Sequence, residues 1–473
     1  MKSDRSGDGA VRKQDPRLPA ALEFQNSGRL AEADSLLDRI LADAPEDAEA
    51  LNMKGVIAAQ IGNTLLAWEW MTKAVEVDRR NSHYLRNLTE TCRRLGKLDL
   101  AVDYGRRAAA ITPDDTEVHY NLAMVHYERG EMERAIVSAR RAIGLNPEHA
   151  GAHFELAECL LLTGRLPEGW KEYEWRWRIP GVAQPLMIEG VPEWDGTPLP
   201  DGRIMLVGDQ GFGDVLQFAR YVPLVASRCA EVIVAASSEL AALMQTLPGA
   251  PRVVTVTRDL PPLAAQTTMS SLPGILGTTV ETIPGECPYL TPPEDLVARW
   301  GERLASVCPA GYRRIGMAWA GRPEHGNDRN RSISLTDLAP IGGFDGVALV
   351  SLQKGSGIAD LGSVFWRAPV YNAGPEFDAF IDTAAALQHL DLVITVDTAI
   401  AHLAGALGKP CWVMLPYAPD WRWLQERSDT PWYPNTRLFR QTEYGNWKSV
   451  IAEVTQALAD SPPARTPIMV GAD

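Results

Sequence analysis

The sequence predicts a chain in two parts, an N-terminal array of paired helices followed by an α/β half built on parallel sheets. Three observations predict it. Glycine recurs every 34 residues from Gly28 to Gly164. Beyond residue 200, short apolar runs alternate with helix-period segments in two successive series. Two of those runs feed tight turns that open helices, Gly208–Asp214 after Ile204–Val207 and Val396–Gly405 after Leu392–Thr395. A turn of that kind presents backbone N–H groups to an anion.

At 473 residues the chain can fill two or three cores. Its 45% hydrophobic and 22% charged content is that of a soluble globular protein. A net charge of −14 argues against nucleic acid as a main partner. The polar stretch Met1–Gly9 lacks the apolar centre of a secretion signal. No apolar run approaches the roughly 18 residues of a spanning helix, so no transmembrane segment is expected. Cys92, Cys159, Cys229, Cys287, Cys308 and Cys411 are scattered with no C-x-x-C, which predicts neither a disulfide framework nor a metal site. The expected compartment is the cytoplasm. Oligomeric state stays open.

In the first part, Gly28, Gly62, Gly96, Gly130 and Gly164 share their period with three further columns. These are Ala33, Ala67, Ala101 and Ala135 with Gly169; Ala74, Ala108 and Ala142 with Ile40; and Pro45, Pro113 and Pro147, where Arg79 breaks the pattern. Columns sharing one period define a repeat. Glycine permits the left-handed end of a first helix, the small residue lets a second helix approach, and proline stops it. The unit resembles the tetratricopeptide repeat, best over Thr116–His149, where Asn121-Leu-Ala, Tyr127, Ala135, Ala142 and Pro147 fall in register. The array is expected over residues 14–180, with a frayed first copy (Pro16, Pro19). The resemblance implies a superhelix whose concave face takes peptide segments. The alternative is an array that only supports or oligomerises the rest. Trp170, Tyr173, Trp175 and Trp177 are too aromatic for an exposed helix and are expected to dock on the next domain.

The proline-rich stretch 181–200 reads as a connector pinned at Trp194. Strands are expected at Ile204–Val207, Val232–Ala235 and Val253–Val256, with helices Leu216–Ala226 and Leu240–Leu247 between them. The second series has strands Arg314–Trp319, Val347–Leu352, Leu392–Val396 and Cys411–Leu415, with helices Phe377–Gln388 and Thr398–Leu407. A break near Glu286–Cys308 divides an expected domain 201–308 from another at 309–462.

Gly211-Phe-Gly-Asp-Val-Leu-Gln217 resembles the glycine-rich turn of lipopolysaccharide heptosyltransferases. Val396-Asp-Thr-Ala-Ile-Ala-His402 and its continuation to Pro410 resemble that family's nucleotide-diphosphate site. A repeat array joined to such a unit is also similar in architecture to the O-linked N-acetylglucosamine transferases. These resemblances imply a glycosyltransferase B fold, two Rossmann-like domains with the acceptor side first and the donor side second. They imply an inverting, metal-independent transferase using a nucleotide sugar as co-substrate and no cofactor. The chain agrees in offering no Asp-x-Asp for a metal-bound diphosphate.

Asp397 occupies an expected N-cap with Thr398 opening the helix, so that the amides of Thr398 and Ala399 address a diphosphate. His402, four residues on from Thr398, shares its face and would add charge if protonated beside phosphate. The alternative is a capped helix with an interior histidine, and Asp397 serving only as cap. In Ala318–Ser332 a basic loop follows a strand. Arg331 falls where the resembling families keep a lysine for the leaving group, and arginine can clamp two oxygens. Arg329 is the reserve, and a solvated basic loop the alternative. Lys354 follows another strand and is a candidate for phosphate or ribose. By resemblance, Asp214 faces the acceptor and removes its hydroxyl proton; its position equally suits a helix cap. Gln210, Gly211 and Gly213 form the acceptor-side turn. Pro419-Asp-Trp-Arg-Trp and Pro431-Trp-Tyr-Pro either stack a sugar or base, or pack the C-terminal helix Trp447–Leu458 onto the first domain.

Two other classes compete. One is an interaction scaffold whose transferase-like half is inactive. The other, a dinucleotide oxidoreductase, fails because Gly208-x-x-Gly211-x-Gly213 has the wrong spacing and Ser237-Ser238 replaces the acidic residue. No Walker lysine motif is present.

Overall fold

The computed structural model describes residues 15–249, 251–256, 259–324, 326–355 and 357–461. Met1–Gly9, and His325 of the basic loop, lie outside them. The chain divides into two compact units between Glu155 and Leu156.

Ten helices make up the repeats: α1 (Leu18–Asn26), α2 (Leu30–Asp43), α3 (Ala48–Gln60), α4 (Thr64–Val77), α5 (Ser82–Arg94), α6 (Leu98–Ile111), α7 (Thr116–Glu128), α8 (Met132–Leu145), α9 (Ala150–Leu162) and α10 (Leu166–Tyr173). The 34-residue glycines all take φ between 69° and 83°. Around each, the next residue's N–H returns to a carbonyl five positions back, as Asn63 does to Ala58 at 2.9 Å and Glu131 to His126 at 2.8 Å. That bond closes the helix end only when the intervening residue is left-handed. Asp47, Asn63, Asn81 and Asp115 cap the helices that follow. Ala33, Ala67, Ala101 and Ala135 are fully buried, as the spacing predicts. At Gly62 a methyl group would meet nothing within 4 Å. Gly62→Ala is therefore expected to cost only the backbone term, about 1–2 kcal/mol, measured as a lowered denaturation midpoint.

The second unit contains β1 (Leu199–Val207), α11 (Phe212–Phe218), α12 (Val222–Ala226), β2 (Cys229–Ala235), α13 (Ser238–Met244), β3 (Arg252–Val254), β4 (Ala265–Thr268), α14 (Leu272–Ile275) and α15 (Glu294–Val307). It continues with β5 (Arg313–Ala318), α16 (Asp328–Arg331), α17 (Leu335–Leu338), β6 (Val347–Ser351), β7 (Val370–Asn372), α18 (Phe380–Leu387), β8 (Leu392–Val396), α19 (Ala399–Ala406), β9 (Cys411–Leu415), β10 (Thr436–Arg440) and α20 (Trp447–Ala459). Among the described residues these strands form two all-parallel sheets, ordered β3-β2-β1-β4 and β10-β9-β8-β5-β6-β7. β6 and β8 are buried along their whole length, as parallel strands covered on both faces must be.

Some expectations are corrected. β4, β7 and β10 were not anticipated: the first is Ala-Gln-Thr-Thr, with no apolar run, the second has three residues, and β10 sets its Leu438-Phe439 pair between two arginines. Between the two strand series, the stretch 286–308 holds the 14-residue α15. The helix expected over Leu216–Ala226 starts at Phe212 and is interrupted by a 3-10 turn at Ala219–Tyr221. α20 packs on its own sheet: Val450, Ile451 and Val454 belong to one buried cluster with Ile394, Val396 and Phe439. No helix among the described residues is long and apolar enough to cross a membrane.

Candidate functional site

Each sheet has one place where neighbouring strands send their connections in opposite directions: between β1 and β4 in the first, and between β5 and β8 in the second. A crevice opens there, beyond the carboxyl ends of the strands. The turn after β1 carries Gln210, Gly211, Gly213 and Asp214. The loop after β5 carries Arg331, and the turn after β8 carries Asp397, Thr398, Ala399 and His402. Lys354 follows β6, two strands away from β8 in the sheet order; it is exposed and donates to the Phe377 carbonyl at 2.5 Å.

The two turns meet. A Cβ placed on Gly213 would lie 2.8 Å from His402 Cδ2 and 3.6 Å from Ala399 Cα. Only glycine lets α11 start this close to α19. Asp214 accepts the Gly211 N–H at 2.9 Å through Oδ2, and its Oδ1 takes an ion pair from Arg422 Nη2. The capping alternative for Asp214 is thus realised in the geometry. Arg422 is buried and also grips Asp420 with Nη1 at 2.9 and 3.0 Å, and Gln217 Oε1 with Nε at 2.6 Å. Burial works against the charge of Asp420, yet Arg422 holds its carboxyl below the usual range.

α19 begins one residue later than expected. Thr398 is extended (φ −143°, ψ 174°) and is the N-cap, Ala399 is the first helical residue, and Asp397 stands outside. Thr398 makes no side-chain cap hydrogen bond, so its hydroxyl does not take up the first amides of the helix. Asp397 is buried; burial and then the charge of Asp420 raise its carboxyl, with Arg331 opposing. Arg331 lies against Gly321, 3.4 Å from Asp328, and its charge reaches both Asp397 and His402.

His402 sits as the alternative reading places it, in the interior. It is buried, shares a 2.9 Å hydrogen bond between Nδ1 and the Tyr433 hydroxyl, and stacks on Trp423 at 5.5 Å and 20°. Burial, then the charge of Arg422, pushes its pKa down to about 3. The ring is neutral and offers hydrogen bonding without charge. A folded pKa depressed below the unfolded value of about 6.5 contributes stability that is complete above that pH and is lost as pH falls toward 3. His402→Gln is expected to flatten this part of the stability profile between pH 6.5 and 3, read by denaturation at each pH relative to the parent chain.

The aromatic segments resolve toward packing. Trp421, Trp423, Trp432 and Tyr433 are all at most 1% exposed, so their faces are not open to a sugar. They pack beneath α19 and against α10, not under α20: Trp421 meets Trp170 edge-on at 5.3 Å, and Tyr433 lies against Gly405. Trp170 and Tyr173 are buried, whereas Trp175 and Trp177 are partly exposed. Sequence reading noticed 419–424 for its tryptophans and missed Arg422 and Asp420. Asp209 was missed too: it is buried, and burial raises it to about 6 against a hydrogen bond from Ser270.

A tetratricopeptide repeat family model matches residues 18–82 and 120–174, and the N-terminal array is made of such repeats. Protein FlbA of Caulobacter vibrioides is 30% identical over 332 residues, covering 64% of this chain and 54% of its own length. That span is longer than the whole repeat array, so the likeness runs into the α/β half. The cell division cycle protein 16 homolog of Homo sapiens is 31% identical over 123 residues, 24% of this chain and 19% of its own. The chain thus spans about half, or less, of these relatives. Among solved structures, MamA is 21% identical with a TM-score of 0.31, covering 33% of this chain and 91% of its own. YrrB, described as a TPR protein with an unusual peptide-binding site, is 18% identical with a TM-score of 0.31, covering 34% and 84%.

Proposed function

We propose that this chain is an inverting, metal-independent glycosyltransferase that moves a sugar from a nucleotide-diphosphate donor to a hydroxyl, on a protein recruited by the repeats. The observation that carries the reading is the meeting of the two turns, with Gly213 against His402 and with Arg331 and Arg422 beside them. The second sheet supports it: numbered within its own half, its order is that of dinucleotide-binding Rossmann folds, 3-2-1-4-5-6, and the first sheet is the matching 3-2-1-4. Two Rossmann-like layers are what a glycosyltransferase B unit would require.

In this reading the donor diphosphate sits at the start of α19, with Thr398, Ala399 and Arg331 around it and Lys354 reaching the nucleoside side. Fixed positive charge there stabilises the departing diphosphate. The acceptor oxygen attacks the sugar's anomeric carbon from the opposite face as the bond to phosphate breaks, and its proton passes to Asp214. Asp397 and His402 shape the pocket floor. A groove of about 470 Å³ in the repeats, lined by Arg86, Asn87, Arg94 and Asn121 among others, suits an extended protein segment. The test is release of nucleoside diphosphate from a panel of nucleotide sugars in the presence of cell proteins, with incorporation of labelled sugar. Failure of every donor to turn over, together with no calorimetric binding of any nucleoside diphosphate, would end this reading.

One observation favours a second reading, a repeat scaffold with an inactive transferase-like half. Both oxygens of Asp214 are already engaged, by Gly211 and Arg422. Nucleotide binding without turnover would select it.

A further inference from the structure

We infer that the end of the repeat array is a working part of the transferase site: Tyr173 and Arg176 hold the turn after β1, Tyr173 through Gln210 and Arg176 through Ser270 and Asp209. The inference rests on the transfer reading above.

Gln210 is the non-glycine residue at the centre of the turn, and its φ is +61°. Side chains disfavour that region, so the conformation persists only where neighbours impose it. One imposing contact is the Gln210 amide donating to the Tyr173 hydroxyl at 3.2 Å. Packing aims that hydroxyl: the Tyr173 ring is 2% exposed and sits edge-on to Trp170 at 6.1 Å and to Trp421 at 5.9 Å. Trp170 is itself pinned by a 2.9 Å bond from its indole to the Thr278 carbonyl.

The residue before Gln210 is held from the same source. Asp209 accepts the Ser270 N–H at 3.1 Å and the Ser270 hydroxyl. That hydroxyl in turn accepts from Arg176 Nη2 at 2.7 Å, and Arg176 also donates to Ser271 Oγ at 2.8 Å and the Tyr173 carbonyl at 2.9 Å. Arg176 is 2% exposed, a depth at which a guanidinium must be matched by partners or it destabilises the fold. Ser270 follows β4 and Asp209 follows β1, so this network sits on the crevice of the first sheet. Docking alone would be served by the aromatic cluster. The polar chain instead ends on the two residues that precede Gly211 and Asp214.

The experiment uses the full chain, following donor turnover and nucleoside diphosphate affinity for Tyr173→Phe, Gln210→Ala, the double variant and Arg176→Lys. Tyr173→Phe keeps the ring and loses the hydrogen bond from Gln210. It is expected to lower kcat about fivefold, with donor affinity unchanged and the unfolding temperature lowered by no more than a few degrees. The double variant is expected to match Gln210→Ala alone, because Tyr173 acts through Gln210. Arg176→Lys, too short to span both serines, is expected to lower kcat similarly. Parental kcat in Tyr173→Phe and Arg176→Lys, or effects of Tyr173→Phe and Gln210→Ala that simply multiply, would overturn the inference. If the parent chain itself turns over no donor, the transfer reading fails separately. Positioning is then read from amide hydrogen exchange over residues 209–213, where faster exchange in Tyr173→Phe supports it and unchanged exchange overturns it.

Discussion

Replacing Arg422 with alanine is expected to remove about 3–5 kcal/mol of folding stability from the second unit. The guanidinium is buried and answers three side chains at once: Asp420, Asp214 and Gln217. Burial opposes its charge, and the two carboxylates hold it protonated. Without it Asp420 stays buried with no counter-charge of equal reach, next to an Asp397 that it already perturbs. A deleted partner costs far more than an absent pair, so Asp420→Asn combined with Arg422→Met is expected to lose much less than Arg422→Ala alone. The surface pair Arg367–Asp345, with side chains 65% and 84% exposed, supplies the contrast. Arg367→Ala should change stability by under about 1 kcal/mol. Denaturant midpoints of the three variants check the order.

The sequence made the repeats legible because their signals are backbone signals. A left-handed glycine and a buried alanine each act within a few residues, so Gly96 or Ala101 declares its role without knowledge of distant neighbours. Strands β8 and β9 were legible to the residue, since a strand buried on both faces must be a continuous apolar run. β4 was not: its Gln266 is buried because the side chain is consumed by Ile188 and Val191 of the connector, a satisfaction found only in three dimensions. The same limit applies at the candidate site. The turns at Gly208–Asp214 and Val396–His402 carry local glycine and helix-start patterns and were visible. Arg422 lies 208 residues from Asp214 and looks like an ordinary charge between tryptophans. The surroundings of His402 were illegible for a related reason: its burial under Trp423 and Tyr433 is recorded by no local pattern.

Asp214→Asn is expected to lower transfer by roughly 10²–10⁴-fold, the usual worth of a positioned proton acceptor. The substitution is isosteric, and its side-chain oxygen can still accept the Gly211 N–H that Asp214 takes at 2.9 Å. Helix α11 therefore keeps its cap, and nucleoside diphosphate affinity should stay near the parental value. What asparagine lacks is the capacity to take the acceptor's proton. The ion pair with Arg422 does not close that route, because a carboxylate has about four acceptor positions and the two bonds from Gly211 and Arg422 leave room for a substrate hydroxyl. Loss of the pair will also loosen Arg422, so the comparison needs Arg422→Lys, which retains the positive charge and the carboxylate. If Asp214 is the proton acceptor, Asp214→Asn should be the far slower enzyme of the two at equal donor saturation. If Asp214 only caps α11 and anchors Arg422, the two variants should lose activity to a similar and modest degree. Equal kcat values in a donor-saturated assay would therefore move the proton to another group and leave Asp214 a structural residue.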